Sequence, residues 1–426
     1  MNINLFECFA GVGSQHTALK NIARKDDEIN LVGISEWDMY AVIAYYRINN
    51  YNFQKEAFDD KTDEEIKRYL SELPYSLDSK KLTTRLTSQP IDMLRKLYEA
   101  HQKLGNIPDI NGLSGKDIIS RDVNLLTYSF PCQDLSNAGH RRGMKKGNET
   151  RSGLLWQVER VLEEVEHEEP KHLPKYLLME NVTAIVDKDH IEDYNSWKQK
   201  LSELGYTSYD GILDAEDFGI PQTRKRFFCL SVLQPKISRD STDLNILLKP
   251  YKSKEKSKLK NFLRVDYKNK KYKLEADIAV PNHTKSRLQM FEKEKRLSTC
   301  ITKPPKFSDK VENEYCVHDI STRTLTTKQD RWNNGGMLEY YEYKFNETEL
   351  VKDVSKDPNG YSKFRLLTNR ETFLLMGFKE EQIERLFEEN LSSEKLYRQA
   401  GNSIVVNILE AIFKGLIQEE EDYEIK

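Results

Sequence analysis

The sequence predicts an α/β fold organised around a mostly parallel β-sheet, followed by a smaller and more irregular second domain. Short apolar runs alternate with amphipathic stretches through the first half of the chain, and such alternation is typical of parallel strands joined by crossover helices. From about residue 236 to about 360 the sequence becomes lysine-rich and turn-rich, and the end of the chain returns to helix. A chain of 426 residues is long enough for two domains of this kind.

Five apolar runs are predicted to be the buried strands of the sheet, at residues 3–9, 30–36, 124–130, 175–181 and 226–232. Helical periodicity is clearest at 154–166, where six side chains fall on one face: Leu154, Leu155, Val158, Val161, Leu162 and Val165. Apolar side chains also recur at helical spacing over 402–417, which predicts a final helix packed on the N-terminal sheet. Residues 52–113 form a charged, mostly helical insertion without a recognisable motif.

Composition and charge argue against several classes of protein. Apolar residues make up 38% of the chain and charged residues 32%, and no apolar run approaches the roughly 18 residues that a membrane-spanning helix needs. The N-terminus enters a strand pattern at once, which argues against a secretory signal. The five cysteines are odd in number and lack CxxC spacing, and the eight histidines are dispersed. We therefore expect a reduced, cytoplasmic protein without disulfides and without a metal site.

Glycines follow the first predicted strand, where a nucleotide-like ligand can approach the backbone near the start of a helix. Gly11 and Gly13 are followed by Ser14, so the third glycine of a dinucleotide fingerprint is missing and a nicotinamide dehydrogenase is the poorer interpretation. Glu36 ends the next strand and Trp37 follows it. A carboxylate suits the hydroxyls of a ribose and an indole can stack on adenine, so the pattern favours a cofactor that contains adenosine.

A cysteine, Cys132, follows the apolar run 124–130 and Pro131, at the point where a strand would end at a cleft. A buried structural cysteine is the commoner explanation of such a residue taken alone. Three further segments change this interpretation. Glu180 ends another apolar strand, where an unpaired acid is costly. Alternate residues of an extended segment share one face, so the side chains of Gln222, Arg224 and Arg226 lie together. Asn402 lies in a small-residue turn before the last helix.

Taken in order, these motifs resemble those of the C5-cytosine DNA methyltransferases, of the bacterial restriction–modification type. The motifs are Phe9-x-Gly11-x-Gly13, Pro131-Cys132-Gln133, Glu180-Asn181-Val182, Gln222-x-Arg224-x-Arg226 and Gly401-Asn402-Ser403. The resemblance implies a Rossmann-like S-adenosylmethionine-dependent methyltransferase domain with a mostly parallel sheet, at residues 1–235 and 390–426. It assigns 236–389 to a smaller, irregular target-recognition domain with a segment that bridges back to the catalytic domain.

The resemblance also implies a mechanism for methyl transfer to carbon 5 of a cytosine flipped out of duplex DNA. The thiolate of Cys132 would add to carbon 6, which makes carbon 5 nucleophilic towards the methyl group of S-adenosylmethionine. Glu180 would hold or deliver a proton at ring nitrogen 3 and bond the 4-amino group. Arg224 and Arg226 would supply donors to the 2-oxo group, a phosphate or the active loop, and the sequence does not apportion these roles.

For the cofactor, the resemblance implies Phe9, Gly11 and Gly13 around the methionine and adenosine, Glu36 on the ribose and Trp37 beside the adenine. Asp117 would bond the adenine amine, with Asp59 or Asp60 as competing candidates because the insertion separates Asp117 widely from Glu36. Other residues would line the cofactor pocket: Pro131, Leu154 and Asn402. The product would be S-adenosylhomocysteine, and no metal is implied.

For DNA, the resemblance and the loop composition suggest Gln133, Ser136, Arg141 (or Arg142) and Gln222, with a threonine–leucine element at Thr324, Leu325 and Thr326. The run 249–273 holds eleven Lys or Arg, which we interpret as phosphate contacts, although a solvated segment is the simpler explanation of such a run alone. In the bridging segment, Arg365 and Glu371 are expected to be structural. We expect a monomer acting on double-stranded DNA, with a cognate restriction endonuclease acting separately. The alternatives are an RNA cytosine-5 methyltransferase and a non-catalytic DNA-binding regulator.

Overall fold

A computed structural model describes residues 1–54, 58, 60–131, 154–280, 322–325, 337–340, 343–346, 349–352 and 363–425. Its centre is a six-stranded sheet in the order β2-β1-β3-β4-β7-β5. The strands are β1 (Asn2–Cys8), β2 (Glu28–Ser35), β3 (Leu125–Tyr128), β4 (Tyr176–Asn181), β5 (Tyr206–Asp214) and β7 (Lys225–Leu233). The first four strands run parallel to one another, and β7 pairs antiparallel with both β4 and β5. The predicted α/β fold with a mostly parallel sheet is confirmed.

Helices cover the sheet and join its strands. They are α1 (Ser14–Ile22), α2 (Met39–Ile48), α3 (Asp63–Ser71), α4 (Ile91–Lys103), α5 (Gly115–Ser120), α6 (Leu155–Glu168), α7 (Ile191–Glu203), α8 (Leu244–Leu247), α9 (Lys270–Ile278), α10 (Asn369–Leu374), α11 (Glu380–Phe387), α12 (Ser393–Asn402), α13 (Val406–Ile412) and α14 (Glu419–Ile425). The helix predicted over 154–166 is confirmed as α6, and its apolar side chains are buried.

The last helix, predicted to follow a turn at Asn402, is present and begins at Val406 as α13. Helix α12 ends at Asn402, Ser403 has an extended backbone, and α13 begins only at Val406. A stretch of π-helix, Phe413–Gln418, then joins α13 to α14. The apolar face predicted from the sequence is nevertheless buried, with α13 packed on α1, the helix that follows the first strand.

Two large hydrophobic cores and one small cluster, around Tyr267 and Ala276, lie in the described part of the protein. One includes apolar side chains of α6 and α7, with Trp197 fully buried in it. The other includes side chains from α1, α2, the insertion 52–113 and the C-terminal helices. Leu244, Leu248 and Leu259 also belong to this second core. Part of the range that the sequence analysis assigned to a recognition domain therefore packs as an extension of the catalytic body.

Besides helices α8 and α9, the described residues of the more irregular part of the chain form short strand pairs. They are β6 (Gln222–Thr223) with β8 (Thr322–Arg323), β9 (Met337–Tyr340) with β12 (Lys363–Leu366), and β10 (Tyr343–Asn346) with β11 (Glu349–Lys352). The first of these pairs is parallel and joins this part of the chain to the segment just before β7. This pairing brings the predicted threonine–leucine element to the edge of the catalytic body.

One helical stretch, Ser393–Tyr423, is long and apolar enough by composition to cross a membrane, which the sequence analysis did not expect. In the folded protein 72% of its apolar window is buried. Its mean hydropathy of 1.4 is therefore explained by its place in the core.

Candidate active site

The predicted cofactor residues other than Asp117 lie at the carboxyl ends of the parallel strands, which is where ligands bind in open α/β sheets. The turn after β1 is held against β2, because the Phe9 and Ala10 amides both donate to the Ser35 carbonyl, at 2.7 and 3.2 Å. Three residues of this turn have left-handed backbones, with φ of 57° at Phe9, 54° at Gly11 and 75° at Gly13. Such a turn exposes main-chain N–H groups at the start of α1.

The two glycines of this turn serve different purposes. A Cβ on Gly13 would lie 2.5 Å from the ring of Tyr45, so Gly13 permits close packing of the turn on α2. A Cβ on Gly11 would meet nothing within 4 Å, so the space beside Gly11 is open. A ligand can therefore approach the backbone at Gly11, and the turn fits an adenosine-containing cofactor.

Glu36 lies directly beside that space. Its carboxylate accepts the Gly11 amide at 2.8 Å through one oxygen and the Asp38 amide at 2.7 Å through the other. Burial, together with the neighbouring charge of Asp38, raises the pKa of Glu36 to about 7. Each oxygen keeps a second lone pair that can accept a hydroxyl group. Trp37 is half-buried next to it, as a stacking surface requires.

The remaining predicted pocket residues end other elements at the same edge of the sheet. Pro131 follows β3, Leu154 immediately precedes α6, and Asn402 is the last residue of α12. Pro131 and Leu154 are half-buried and Asn402 is exposed.

Asp117 lies elsewhere. Its carboxylate caps α5 by accepting the Ser114 amide and hydroxyl at 3.0 and 2.6 Å. The neighbouring Gly115 amide donates to Glu164, near the far end of α6. Ten residues of helix span about 15 Å, so Asp117 is distant from the Leu154 end of α6. Of the competing residues, Asp60 is exposed and pairs with Lys61 at 3.4 Å, whereas Asp59 is outside the described residues.

A different aspartate, Asp109, which is not among the residues predicted from the sequence, lies in a segment beside the carboxyl end of β2. The Ile107 amide donates to the Ile34 carbonyl at 2.9 Å, and Asn106 pairs parallel with Ile34. Residues 107–109 therefore run past the carboxyl end of β2 towards Glu36. The signal available in the sequence was the run "NIPDI", but an aspartate in a turn is too common to single out.

Glu180 is the last residue but one of β4 and is largely buried, with 13% of its side chain exposed. Burial raises the pKa of Glu180, while the charges of Arg226 and Arg224 lower it in opposition. The Arg226 guanidinium lies 3.4 Å from the Glu180 carboxylate. Asn181, the next residue, donates to the Phe130 carbonyl at 3.1 Å and so ties the end of β4 to the residues that precede Cys132.

The structure apportions the two arginines differently. Arg226 faces Glu180, whereas Arg224 is buried and donates to three backbone carbonyls: Leu325 at 2.8 Å, Gly401 at 3.0 Å and Ser403 at 2.9 Å. Arg224 therefore holds the threonine–leucine element and the end of α12 against the residue that precedes β7, and its charge lowers the pKa of Glu180.

Gln222 is also buried, with no exposed surface. Its amide oxygen accepts the Leu325 amide at 3.0 Å and its amide nitrogen donates to the Leu375 carbonyl at 2.8 Å. Thr324 donates its hydroxyl to the Thr223 carbonyl at 2.7 Å. These contacts place the threonine–leucine element against the segment that leads into the active site.

Several predicted residues lie outside the described part of the chain: Cys132, Gln133, Ser136, Arg141, Arg142 and Thr326. Within the described part, no group of three or more His, Cys, Asp and Glu side chains is arranged to hold a metal ion.

The lysine-rich run is partly paired with acidic side chains. Lys252 bonds Asp217 at 2.8 Å, Lys256 bonds Glu216 at 3.3 Å, and Lys271 pairs with Glu384. Fewer of its charges therefore face solvent alone than the sequence suggested.

In the bridging segment, Arg365 and Glu371 form an ion pair with no exposed side-chain surface, bidentate at 2.8 Å. Arg365 also donates to the Tyr267 hydroxyl at 3.0 Å. The expectation that these two residues are structural is confirmed.

Comparison with known proteins gives one consistent family. A family model described as C-5 cytosine-specific DNA methylase matches residues 69–418. The orphan methyltransferase M.SssI of Spiroplasma monobiae is 35% identical over 419 residues, which cover 96% of each chain. The type II methyltransferase M2.ScrFI of Lactococcus lactis subsp. cremoris is 31% identical over 421 residues, which cover 98% of this chain and 100% of the relative.

Solved structures support the fold. The S. pombe Dnmt2 methyltransferase aligns with a TM-score of 0.62 at 20% identity, covering 98% of this chain and 99% of that chain. The Entamoeba histolytica methyltransferase EhMeth aligns with a TM-score of 0.58 at 17% identity, over 98% and 99% of the two chains.

Proposed function

Because the chain belongs to the C-5 cytosine-specific DNA methylase family, its activity is DNA cytosine-5 methylation dependent on S-adenosylmethionine, and we propose that Cys132 and Glu180 perform it at this site. The observation that carries the proposal is the place of Glu180. It is a buried acid at the end of β4, with Arg226 beside it and Asn181 bonded to Phe130, two residues before Cys132.

In the proposed reaction the Cys132 thiolate forms a bond to carbon 6 of the flipped cytosine. The 5,6 π bond breaks, and its electron pair is delocalised over carbon 5, carbon 4 and nitrogen 3. Burial of Glu180 favours its protonated form, which can donate to ring nitrogen 3 as that electron density arrives. S-adenosylmethionine supplies the methyl group to carbon 5 and becomes S-adenosylhomocysteine. Loss of the carbon-5 proton and departure of the thiolate then restore the aromatic ring and the enzyme.

For the cofactor, we propose that Glu36 accepts the ribose hydroxyls, Trp37 stacks on the adenine, and the Phe9–Gly13 turn holds the methionine and adenosine. The open space at Gly11 supports this. Asp109 is better placed than Asp117 to reach the adenine amine, because residues 107–109 run beside the carboxyl end of β2 towards Glu36.

Double-stranded DNA is the proposed substrate, and the proposed setting is cytoplasmic, with the protein acting as a monomer. One similar relative is named an orphan methyltransferase and another a type II methyltransferase. We propose protection against a cognate restriction endonuclease as the role. Plasmid from a host expressing the protein should carry methylcytosine at one short sequence by bisulfite sequencing, and digestion with extracts of the source cells should spare that plasmid.

DNA with 5-fluorocytosine at the target tests the chemistry. Fluorine replaces the proton that must leave carbon 5, so the adduct formed after methyl transfer cannot resolve. We expect a complex that survives denaturing electrophoresis with the unmodified enzyme and S-adenosylmethionine, and none with Cys132→Ala. Glu180→Gln should form it about 10²–10⁴-fold more slowly, since the proton donor is lost.

Trapping or methylation by Cys132→Ala would place the nucleophile elsewhere. A matched RNA carrying the same modified base serves as the second substrate. Trapping on RNA and not on DNA would overturn the proposal that duplex DNA is the substrate.

A further inference from the structure

The insertion 52–113, to which the sequence assigned no role, is built into the body of the protein. Helices α3 and α4 pack on each other, and α4 packs on α2. Leu70, Leu94 and Leu97 have no exposed surface and belong to the same core as α1 and α2. Because α3 and α4 are packed into the core, the residues of the insertion can hold the neighbouring main chain in a fixed position.

One of its contacts is with Glu36. The Asn106 side-chain oxygen accepts the Glu36 amide at 3.0 Å, and the Asn106 side-chain nitrogen donates to the Glu36 carbonyl at 3.0 Å. A single carboxamide thus pairs with both main-chain groups of Glu36 and fixes its backbone from two sides. Asn106 is buried, with 6% of its surface exposed, so these bonds form away from bulk water.

A second part of the insertion holds the residues that follow Glu36. The Ser76 amide donates to the Trp37 carbonyl at 2.7 Å, and the Met39 amide donates to the Ser76 carbonyl at 3.1 Å. Ser79 also donates its hydroxyl to the Asp38 carboxylate. The segment 36–39 is therefore held by the insertion along its length.

The two contacts are joined inside the insertion. The Asn106 side chain also donates to the Tyr75 hydroxyl at 3.1 Å. That hydroxyl lies 2.8 Å from Nδ1 of His101, whose Nε2 lies 3.0 Å from the Tyr69 hydroxyl. Asn106 is thus oriented by a buried network that runs back into α3 and α4, and its carboxamide has a defined direction.

We propose that Asn106 is a positioning residue for S-adenosylmethionine, and that the insertion 52–113 serves as a buttress of the ribose site. The proposal rests on the proposed function of Glu36 as the ribose acceptor. By holding the main chain of Glu36, Asn106 aims its carboxylate at the open space beside Gly11. Without that clasp the carboxylate can rotate away, and the hydroxyls of the ribose lose their acceptor.

The test compares Asn106→Ala with a matched control, Asn124→Ala. The Asn124 side chain makes the same kind of clasp at the opposite end of the sheet, accepting the Asn4 amide and donating to the Asn2 carbonyl, both at 2.8 Å. Both variants lose an asparagine with two backbone bonds, but only one of them touches Glu36. Calorimetry would use S-adenosylhomocysteine and its analogue lacking both ribose hydroxyls, with steady-state kinetics in parallel.

We expect Asn106→Ala to weaken S-adenosylhomocysteine binding by about tenfold, equivalent to the loss of one to two hydrogen bonds, and Asn124→Ala to leave it within about twofold. The preference for the ribose over the dideoxy analogue should shrink in Asn106→Ala and persist in Asn124→Ala. The KM for S-adenosylmethionine should rise while kcat at saturation stays within about twofold, because uniform binding is lost.

Glu36→Gln separates the two proposals. If Glu36→Gln binds both ligands like the unmodified protein, the ribose role of Glu36 is wrong. If Glu36→Gln loses the ribose preference while Asn106→Ala keeps it, the role of Asn106 is wrong. Should Asn106→Ala not fold, Tyr75→Phe decides, since it removes the hydroxyl that orients Asn106: a loss of S-adenosylhomocysteine affinity supports the proposal and unchanged affinity overturns it.

Discussion

At the scale of single residues, two arginines that look equivalent in the sequence have separate environments. Arg226 faces Glu180, while the buried Arg224 binds the carbonyls of Leu325, Gly401 and Ser403. Arg226→Ala should lower kcat by about 10²-fold, as the loss of one charged donor does, with little change in stability. Arg224→Met should instead lower the free energy of unfolding by at least about 3 kcal/mol, because three charge-assisted bonds are lost.

Urea unfolding and single-turnover methylation measure the two effects. The reverse pattern, with Arg224→Met stable but inactive and Arg226→Ala unstable, would contradict this division of roles.

The raised pKa of Glu36 predicts that cofactor binding depends on pH. Burial raises the pKa of Glu36 to about 7, and ribose hydroxyls donate better to the ionised carboxylate. Binding of S-adenosylmethionine should therefore be constant well above pH 7 and weaken below it, approaching tenfold per pH unit. Titration calorimetry can measure this affinity from pH 5.5 to pH 8.5, a range that extends about 1.5 units on either side of the pKa of Glu36. In Glu36→Gln the affinity should be lower and nearly independent of pH; a sloping profile in that variant would assign the titration to another group.

At the scale of elements, the lysine-rich run separates into two sets. Lys252, Lys256 and Lys271 pair with acidic side chains, whereas Lys254, Lys260 and Lys268 are exposed and form no ion pair within the described part of the chain. Changing the exposed set to Gln should lower the log–log salt slope of DNA binding by up to about 0.9 per lysine, since each phosphate contact releases a counterion. The paired set, changed in the same way, should lower it less. Fluorescence anisotropy at several salt concentrations measures the slope for each triple variant. Equal slopes would show that the lysine-rich run is an ordinary solvated segment.

At the scale of the whole molecule, the described beginning of the assigned recognition range packs into the core of the catalytic body. Leu244, Leu248 and Leu259 are buried in the core that also holds α1 and α13, and Arg224 joins that body to Leu325. A fragment of residues 236–389 should therefore lack a cooperative thermal transition, because its apolar side chains lose their partners. Circular dichroism melting of the fragment and the full chain tests this, and a sharp transition in the fragment would show an independent domain.

The sequence by itself determined the class of fold and the chemical character of the site. Apolar runs identify β1, β2, β3, β4 and β7 because buried strands need continuous hydrophobic faces. The polar edge strand β5 lacks that signal, and it was missed. Local order along the chain also placed Glu36 and Glu180 at strand ends, where the structure has them.

Only the tertiary structure decided which side chains face the site. Arg224 and Arg226 are alternate residues of one segment, and their roles differ because Leu325 and Ser403 contact Arg224 whereas Glu180 lies beside Arg226. Asn106 lies 70 positions from Glu36, and the residues around each of them do not predict that they are hydrogen-bonded to each other. Hydrogen bonds between distant segments depend on how the chain packs. A motif can therefore name the groups that do the chemistry, while packing decides what holds them in place.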